Sequence, residues 1–413
     1  MSNKAFAKYA AHRGNCAYDE MVGEYTPRTV FHHDRAEITY SPYFRRMAFR
    51  QYHIADPGPD NRTRLLHTIE VATIASGIAK RLGANVELAE AIAYGHDIAQ
   101  PPCGYPAEAV IRDFLSDAGG FEHGELAAQI LEWGSKKESG DVRYKKIWKN
   151  PCFAPINFGG RSYRTTISQE AIEGIRHHTP PNGKLYTDLA KTIEGQIVRI
   201  ADNLSYVSQE IEEGIKLDEK LRDMFQGYSG LTVLEFDDNG KHKQMTHVDM
   251  EKKVLGCGRD KRLLQNMFDL RLGPRLMTMI RRVEGYNKHL VKAAGQKHQS
   301  TKMNKEGEMP ILEYDLVLRF VLDFIWTEFI GKHVNQHPRV RTRVARNQQS
   351  IRTALKRRMH TPPTDEREKA EFAIRKQEVE YNYPDLSWYK KKKRAVAHHI
   401  SLMTTPQIAT LIR

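Results

Sequence analysis

His67, the adjacent pair His96 and Asp97, and Asp202 are the residues of this chain whose types and order could do chemistry. Neutral imidazole nitrogens and carboxylate oxygens suit Mg²⁺ or a first-row divalent metal such as Mn²⁺, Fe²⁺, Co²⁺ or Ni²⁺. Two histidines and two aspartates leave coordination positions open for a water and a phosphate oxygen. Hydrolysis at phosphorus is the chemistry that such a set supports, because a cation polarises the phosphoryl group, offsets its charge and acidifies a bound water. Taken singly, each histidine also fits a hydrogen-bonded core residue, and His96–Asp97 also fits the polar end of a helix.

The elements that carry these residues decide which way they face. From Arg62 to Leu82, Val71, Ile74, Ile78 and Leu82 recur at helical spacing, with His67 one turn before them on the same face. Gly83 ends that predicted helix and Asn85 caps the next, in which Leu88, Ile92 and His96 recur at every fourth position. Pro101 and Pro102 stop it, since proline lacks the amide proton and clashes with the preceding turn. A helical pattern resumes near Ala107 and again after Glu122. Residues 140–166 read as loop, and SQEAIEGIRHH (168–178) opens with a capping signature. The strongest predicted helix runs from Thr192 to Ile215, with Ile193, Ile197, Ile200, Leu204, Val207 and Ile211 on one side. Asp202 lies on the adjoining face, between Val198 and Tyr206.

Around this frame the first forty residues look irregular. LTVLEFDDNGKHKQMTHV (231–248) predicts a β-hairpin about Asp238, Asn239 and Gly240. Residues 258–360 return to helical periodicity, 361–372 form a turn and a charged helix, and KKRAVAHHISLMTTPQIATLIR predicts one closing helix. The expected fold is mainly α: a helical bundle with a small β-hairpin insertion and a helical C-terminal extension. The expected divisions are an irregular segment 1–40, a catalytic core 41–225, the hairpin insertion 226–257, and a basic helical region 258–413 packing on the core.

A chain of 413 residues, 40% hydrophobic and 28% charged, can bury a sizeable core. It has no apolar run of membrane-spanning length and no apolar signal core after Met1, which predicts a cytoplasmic protein without membrane contact. Its four cysteines lack any C-x-x-C spacing, so neither a disulfide framework nor a thiolate zinc site is indicated. The formal net charge of +13 attracts polyanions. Much of the excess lies in PRVRTRVARNQQSIRTALKRRMH (338–360) and KKKKR (390–394), and a solvated cationic face explains each run as well as nucleic acid does.

Six further stretches occur in one order: FRRM (44–47), RTRLLHTIEVATIASGIAKRLG (62–83), EAIAYGHDIAQPPCGYPAE (90–108), GGFEHGE (119–125), EGIRHHT (173–179) and EGQIVRIADNLSYVSQEIEEGI (194–215). Together they resemble the deoxynucleoside triphosphate triphosphohydrolases of the HD-domain proteins, the dGTPase-like branch. AVAHHISLMT (395–404) resembles that family's closing helix. The resemblance implies a helical HD-domain bundle with one metal held by His67, His96, Asp97 and Asp202, Mn²⁺ or Mg²⁺ being the first expectation. It implies hydrolysis at the α-phosphorus of a deoxynucleoside triphosphate, dGTP by default, to deoxynucleoside and inorganic triphosphate. A homo-oligomer is also implied.

Arg64, one turn before His67, can offer a planar fork to phosphate oxygens. Gln100 stands where the family often has His or Asn and can hydrogen-bond to phosphate. By resemblance, Tyr206 and Glu210 face the sugar, and Gln51 or Tyr52 stands beside its hydroxyl. Tyr105 replaces the histidine commonly assigned to acid–base catalysis. A phenol is a poor base at neutral pH but can protonate a departing alkoxide, with Glu108 orienting the water; alternatively His123 moves the proton.

Two other readings fit the same residues. His67, His96–Asp97, His123, His177–His178 and Asp202 also follow the order of binuclear HD phosphodiesterases. The basic C-terminal third, with Trp388 and Tyr389, suits single-stranded nucleic acid, the HD pocket then serving as a nucleotide sensor without turnover.

Overall fold

Short polar side chains begin the helices that matter. Thr63, Asn85, Ser168 and Thr192 each accept a hydrogen bond from the backbone amide three residues on, at 3.3, 3.1, 3.3 and 3.1 Å, which satisfies an amide that the helix itself leaves unpaired. A computed structural model describes residues 29–51, 62–135, 156–158, 161–163, 167–179, 190–220, 233–236, 242–245, 330–332 and 334–413. The described chain is mainly helical. In chain order the helices are α1 (Val30–Tyr40), α2 (Pro42–Arg46), α3 (Arg64–Leu82), α4 (Val86–Gly95), α5 (Tyr105–Phe114), α6 (His123–Ser135), α7 (Gln169–Arg176) and α8 (Ile193–Leu217), then α9 (Pro338–His360), α10 (Glu366–Asn382), α11 (Trp388–Ser401) and α12 (Thr405–Ile412).

α4 is the hub, packing against α1, α3, α7 and α8. Leu88 and Ile92 of α4, Ile172 and Ile175 of α7, and Ile193 and Ile197 of α8 are fully buried. Each such side chain contributes about 1.5–3 kcal/mol over exposure. Two glycines allow α4 and α7 to approach. A Cβ at Gly174 would stand 2.4 Å from Ile92 Cδ1, and one at Gly95 would stand 2.3 Å from Ile175 Cδ1. That closeness brings His96 and His178, just beyond the two helix ends, to a ring separation of 5.1 Å.

The structure corrects several expectations. The segment expected to be irregular up to residue 40 contains α1, capped by Thr29. α4 ends at Gly95, well before the prolines, because the chain continues in i→i+3 turns from Ile98 to Gly95 and from Gln100 to Asp97. The expected single closing helix is two. Thr404 and Gln407 form a capping box and Pro406 sits in the first turn of α12, where its missing amide costs nothing, whereas inside a continuous helix it would break a bond. The hairpin insertion is not supported as a unit of the fold: of 226–257 only the antiparallel pairing of Val233–Phe236 with His242–Met245 is described. A second short ladder, Ile156–Phe158 with Arg161–Tyr163, lies in the stretch read as loop. Of the helical stretch expected over 258–360, residues 258–329 and 333 lie outside the described residues.

The C-terminal helices lie against the N-terminal ones. α9 packs on α5, α11 and α12, and α10 on α11. Arg50 ties the closing turn to the segment after Asp97: its guanidinium is fully buried and donates to Met403 O at 3.2 Å, Ile98 O at 2.6 Å and Gln100 O at 3.1 Å. No helix among the described residues is long and apolar enough to cross a membrane.

Candidate metal centre

α3 supplies Arg64 and His67, the end of α4 supplies His96 and Asp97, and α8 supplies Asp202. His67, His96 and Asp97 are buried, as the apolar stripes beside them require. His67 Nε2 lies 3.0 Å from Asp202 Oδ1 and 3.5 Å from Asp97 Oδ2. His96 Nε2 lies 3.5 Å from Asp97 Oδ2 and 3.7 Å from Asp202 Oδ1. Four side chains from three helices thus converge on one point.

The donor set fits a divalent cation. His96 Nδ1 donates to the Ala93 carbonyl at 2.6 Å, which fixes the ring and turns Nε2 toward the carboxylates. Nε2 is buried and has no hydrogen-bond partner among the described residues. Ser205 Oγ lies 3.3 Å from His67 Nδ1, and a hydroxyl can donate or accept, so His67 too can present Nε2 as a ligand. Ligand atoms of His67, His96 and Asp202 all lie within 4.8 Å of one another.

A second group stands beside the first. Asp97, His123 and His178 likewise offer atoms within 4.8 Å of one another. His123 Nε2 is 3.5 Å from Asp97 Oδ1 and 3.0 Å from His178 Nε2. His178 Nδ1 donates to the Ile175 carbonyl at 2.7 Å, so the Nε2 of His178 also faces the cluster as an acceptor.

Without a cation the charges sort as follows. Burial would raise Asp97, but Arg64, His96 and His67 outweigh it and hold the carboxylate ionised far below its usual range. Burial opposes His96, yet Asp97 and Asp202 raise it to about 9. His178 is pushed down to about 3 by burial and by the neighbouring His123 and His96, and stays neutral. Burial again opposes, but Glu108 raises His123, and His123 lowers Glu108. Burial with the nearby carboxylates of Asp202, Asp97 and Glu108 moves the Tyr105 phenol well above 10.

The other residues expected at the site divide. Arg64 is buried and donates from Nη1 to Asp97 Oδ2 at 2.8 Å, so it grips an aspartate of the cluster. Gln100 is buried, and neither polar atom of its side chain has a hydrogen-bond partner among the described residues. Tyr105 begins α5, is 36% exposed, and sets its ring edge-on to Tyr206 at 5.4 Å and to His123 at 6.4 Å. Glu210 is buried near enough to raise the Tyr206 phenol, after burial itself. Gln51 pairs with Thr63 at the entry to α3 and donates its amide to Thr405, while Tyr52 lies outside the described residues. Arg46, within the FRRM stretch, is taken up by Glu371 of α10.

Two parts of this arrangement escape sequence reading. Arg50 sits in an aromatic, arginine-rich stretch that gives no sign of burial. Asp34 of α1 accepts from Ser168 N at 3.0 Å and from Ser168 Oγ, holding the N-terminus of the helix that leads to His178.

Residues 64–207 match the family model of the HD domain. This region is similar to HD domains. Curated relatives share one name among themselves: the chain is 34% identical over 197 residues to a deoxyguanosinetriphosphate triphosphohydrolase-like protein of Syntrophus aciditrophicus, covering 46% of this chain and 44% of that protein. It is 32% identical over 219 residues to one from Geobacter metallireducens, 51% of each, and 33% identical over 190 residues to one from Clostridium tetani, 46% and 47%. The chain spans about half the length of the curated relatives it matches. The matched range takes in both histidine–aspartate groups, whereas Arg50 and Asp34, which buttress them, lie outside it.

Proposed function

We propose that the HD domain hydrolyses deoxynucleoside triphosphates, dGTP by default, at the α-phosphorus, releasing deoxynucleoside and inorganic triphosphate. The observation that carries the reading is the buried His96 Nε2, which faces two carboxylates at 3.5 and 3.7 Å with no hydrogen bond among the described residues. Held by His67, His96, Asp97 and Asp202, a divalent cation would supply positive charge at a phosphoryl oxygen and acidify a water. Arg64 keeps Asp97 charged and in place. Gln100, with its amide unpaired and buried, offers a donor and an acceptor to the triphosphate.

As a bond forms between water oxygen and the α-phosphorus, the bond to the 5′ oxygen breaks, and that oxygen needs a proton. His123 is the better donor. Glu108 contacts its Nδ1 through both carboxylate oxygens at 3.1 Å and so favours a protonated ring whose Nε2 faces the cluster. Tyr105, edge-on to Tyr206, forms with it a wall suited to the sugar, with Glu210 behind. The names of the curated relatives, which print deoxyguanosinetriphosphate, support the choice of substrate.

The test is incubation with each dNTP and rNTP in Mn²⁺ or Mg²⁺, followed by separation of products. Nucleoside plus triphosphate supports the reading; monophosphate plus pyrophosphate overturns the scissile bond. A second reading has its own observation. Asp97, His123 and His178 form a second ligand group, as a binuclear phosphodiesterase requires, and two metals per chain at saturation would favour it.

A further inference from the structure

α9, α10 and α11 enclose a cavity of about 350 Å³ whose walls include Arg358, Phe372, Lys376, Trp388, Lys391 and Lys392. None of these residues belongs to the HD domain. Arg358 is turned to Glu368 and the Thr361 carbonyl, and Lys391 lies 2.8 Å from Glu380. Lys376 and Lys392 have no acidic partner among the described residues. Their ammonium groups lie over rings instead, 4.8 Å from the centroid of Phe372 and 5.5 Å from that of Trp388. Trp388 is 74% exposed, so a large flat indole stands in water at the mouth of a cationic cavity. Arg358 is itself buried, and its Nε has no hydrogen-bond partner among the described residues.

The positive charge continues beyond the cavity. α9 contains no Asp or Glu. Arg352, Lys356 and His360 follow at i, i+4 spacing on one exposed face, and His360 lines the cavity. At 1.5 Å per residue this row is about 12 Å long, enough for more than one phosphate.

We propose that the cavity and the α9 face behind it bind single-stranded nucleic acid, one base stacked on Trp388 and adjoining phosphates on Lys376, Lys392 and the Arg352–Lys356 row. Stacking on an indole requires an unpaired base, which disfavours a duplex. A row of cations leading away from the cavity suits a chain of phosphates and exceeds what one mononucleotide needs. The inference does not depend on hydrolysis by the HD domain.

The experiment uses the full chain in EDTA, with a fluorescein-labelled 15-nucleotide oligo-dT followed by anisotropy across a series of KCl concentrations. Because no turnover is read, loss of the hydrolase reading leaves this outcome unchanged. Trp388→Ala should weaken binding about tenfold and Trp388→Phe less, as stacking predicts. The double variant Lys376→Gln, Lys392→Gln should flatten the slope of log affinity against log salt by about 1.4, two phosphates at about 0.7 each. Thermal melts check that the variants, altered at exposed positions, are folded. The proposal is overturned if all variants bind with the wild-type affinity and salt slope. Equal binding of a duplex, or equally effective displacement by dTMP at the same nucleotide concentration, also overturns it.

Discussion

Glu108 holds His123 at two points. Both of its carboxylate oxygens lie 3.1 Å from Nδ1, and Oε1 also accepts the His123 amide at 3.2 Å. One side chain on α5 therefore sets both the ring and the start of α6.

If Glu108 acts through His123, Glu108→Gln and His123→Gln should each lower kcat by about 10²–10⁴, the usual worth of a positioned proton donor. The double variant should be little worse than either single one, because the two residues form one unit. A merely structural Glu108 would leave the alkaline limb of the kcat profile in place, whereas a positioning role predicts that Glu108→Gln moves it to lower pH. Tyr105→Phe should cost less than about fivefold. A larger loss would return the proton to the phenol.

The buried His96 Nε2, facing Asp97 and Asp202, predicts a binding signal separate from turnover. Mn²⁺ at a hundred times its Kd should stabilise the metal-free protein by about 2.7 kcal/mol, read as a rise in Tm. His96→Ala should abolish that rise, and so should Asp202→Ala. Retention of the full rise in His96→Ala would remove this residue from the ligand set.

Asp34 gives a pH dependence whose sign can be worked out. Burial raises its carboxyl from 3.8 to about 7, against the hydrogen bonds from Ser168. A folded-state value above the unfolded one means that the stabilisation is complete below about pH 4 and is lost as pH rises through about 7. The span corresponds to a few kcal/mol. Urea unfolding of wild type and Asp34→Asn at pH 5 and pH 8 should therefore show wild type losing stability relative to the variant at the higher pH. A constant difference between the two would contradict the buried, raised carboxyl.

The legible part of this protein was the part written in short-range pattern. Val71, Ile74 and Ile78 at helical spacing turn His67 inward, and Thr192, Asn85 and Gly83 punctuate helices where the structure has their ends. What escaped depends on partners distant in the chain. Arg50 reaches Met403, and Asp34 reaches Ser168, through contacts that no local period encodes. The approach of His178 to His96 rests on Gly95 and Gly174, whose value appears only when α4 and α7 are set against each other. Local chemistry overrides the period as well: helical spacing runs on through Pro406, although Thr404 and Gln407 make that proline part of the first turn of a new helix.

Arg50 carries the last prediction. Its guanidinium is buried and satisfies three carbonyls, two of them, Ile98 and Gln100, in the turn that follows Asp97. Burial lowers its pKa to about 9, so it stays a cation at neutral pH. Removing it leaves those carbonyls buried and unpaired, each at a cost of about 1–3 kcal/mol where water cannot enter. Arg50→Met, which keeps the volume and loses the donors, should therefore destabilise by about 3 kcal/mol or more in urea unfolding. Because the same group holds the backbone of Gln100, KM for the triphosphate should rise further than kcat falls. Arg50→Lys should recover less than half of the stability, since one ammonium cannot copy the fork that reaches both Ile98 and Met403. Full recovery would mean that the charge alone matters and that the geometry of the fork does not.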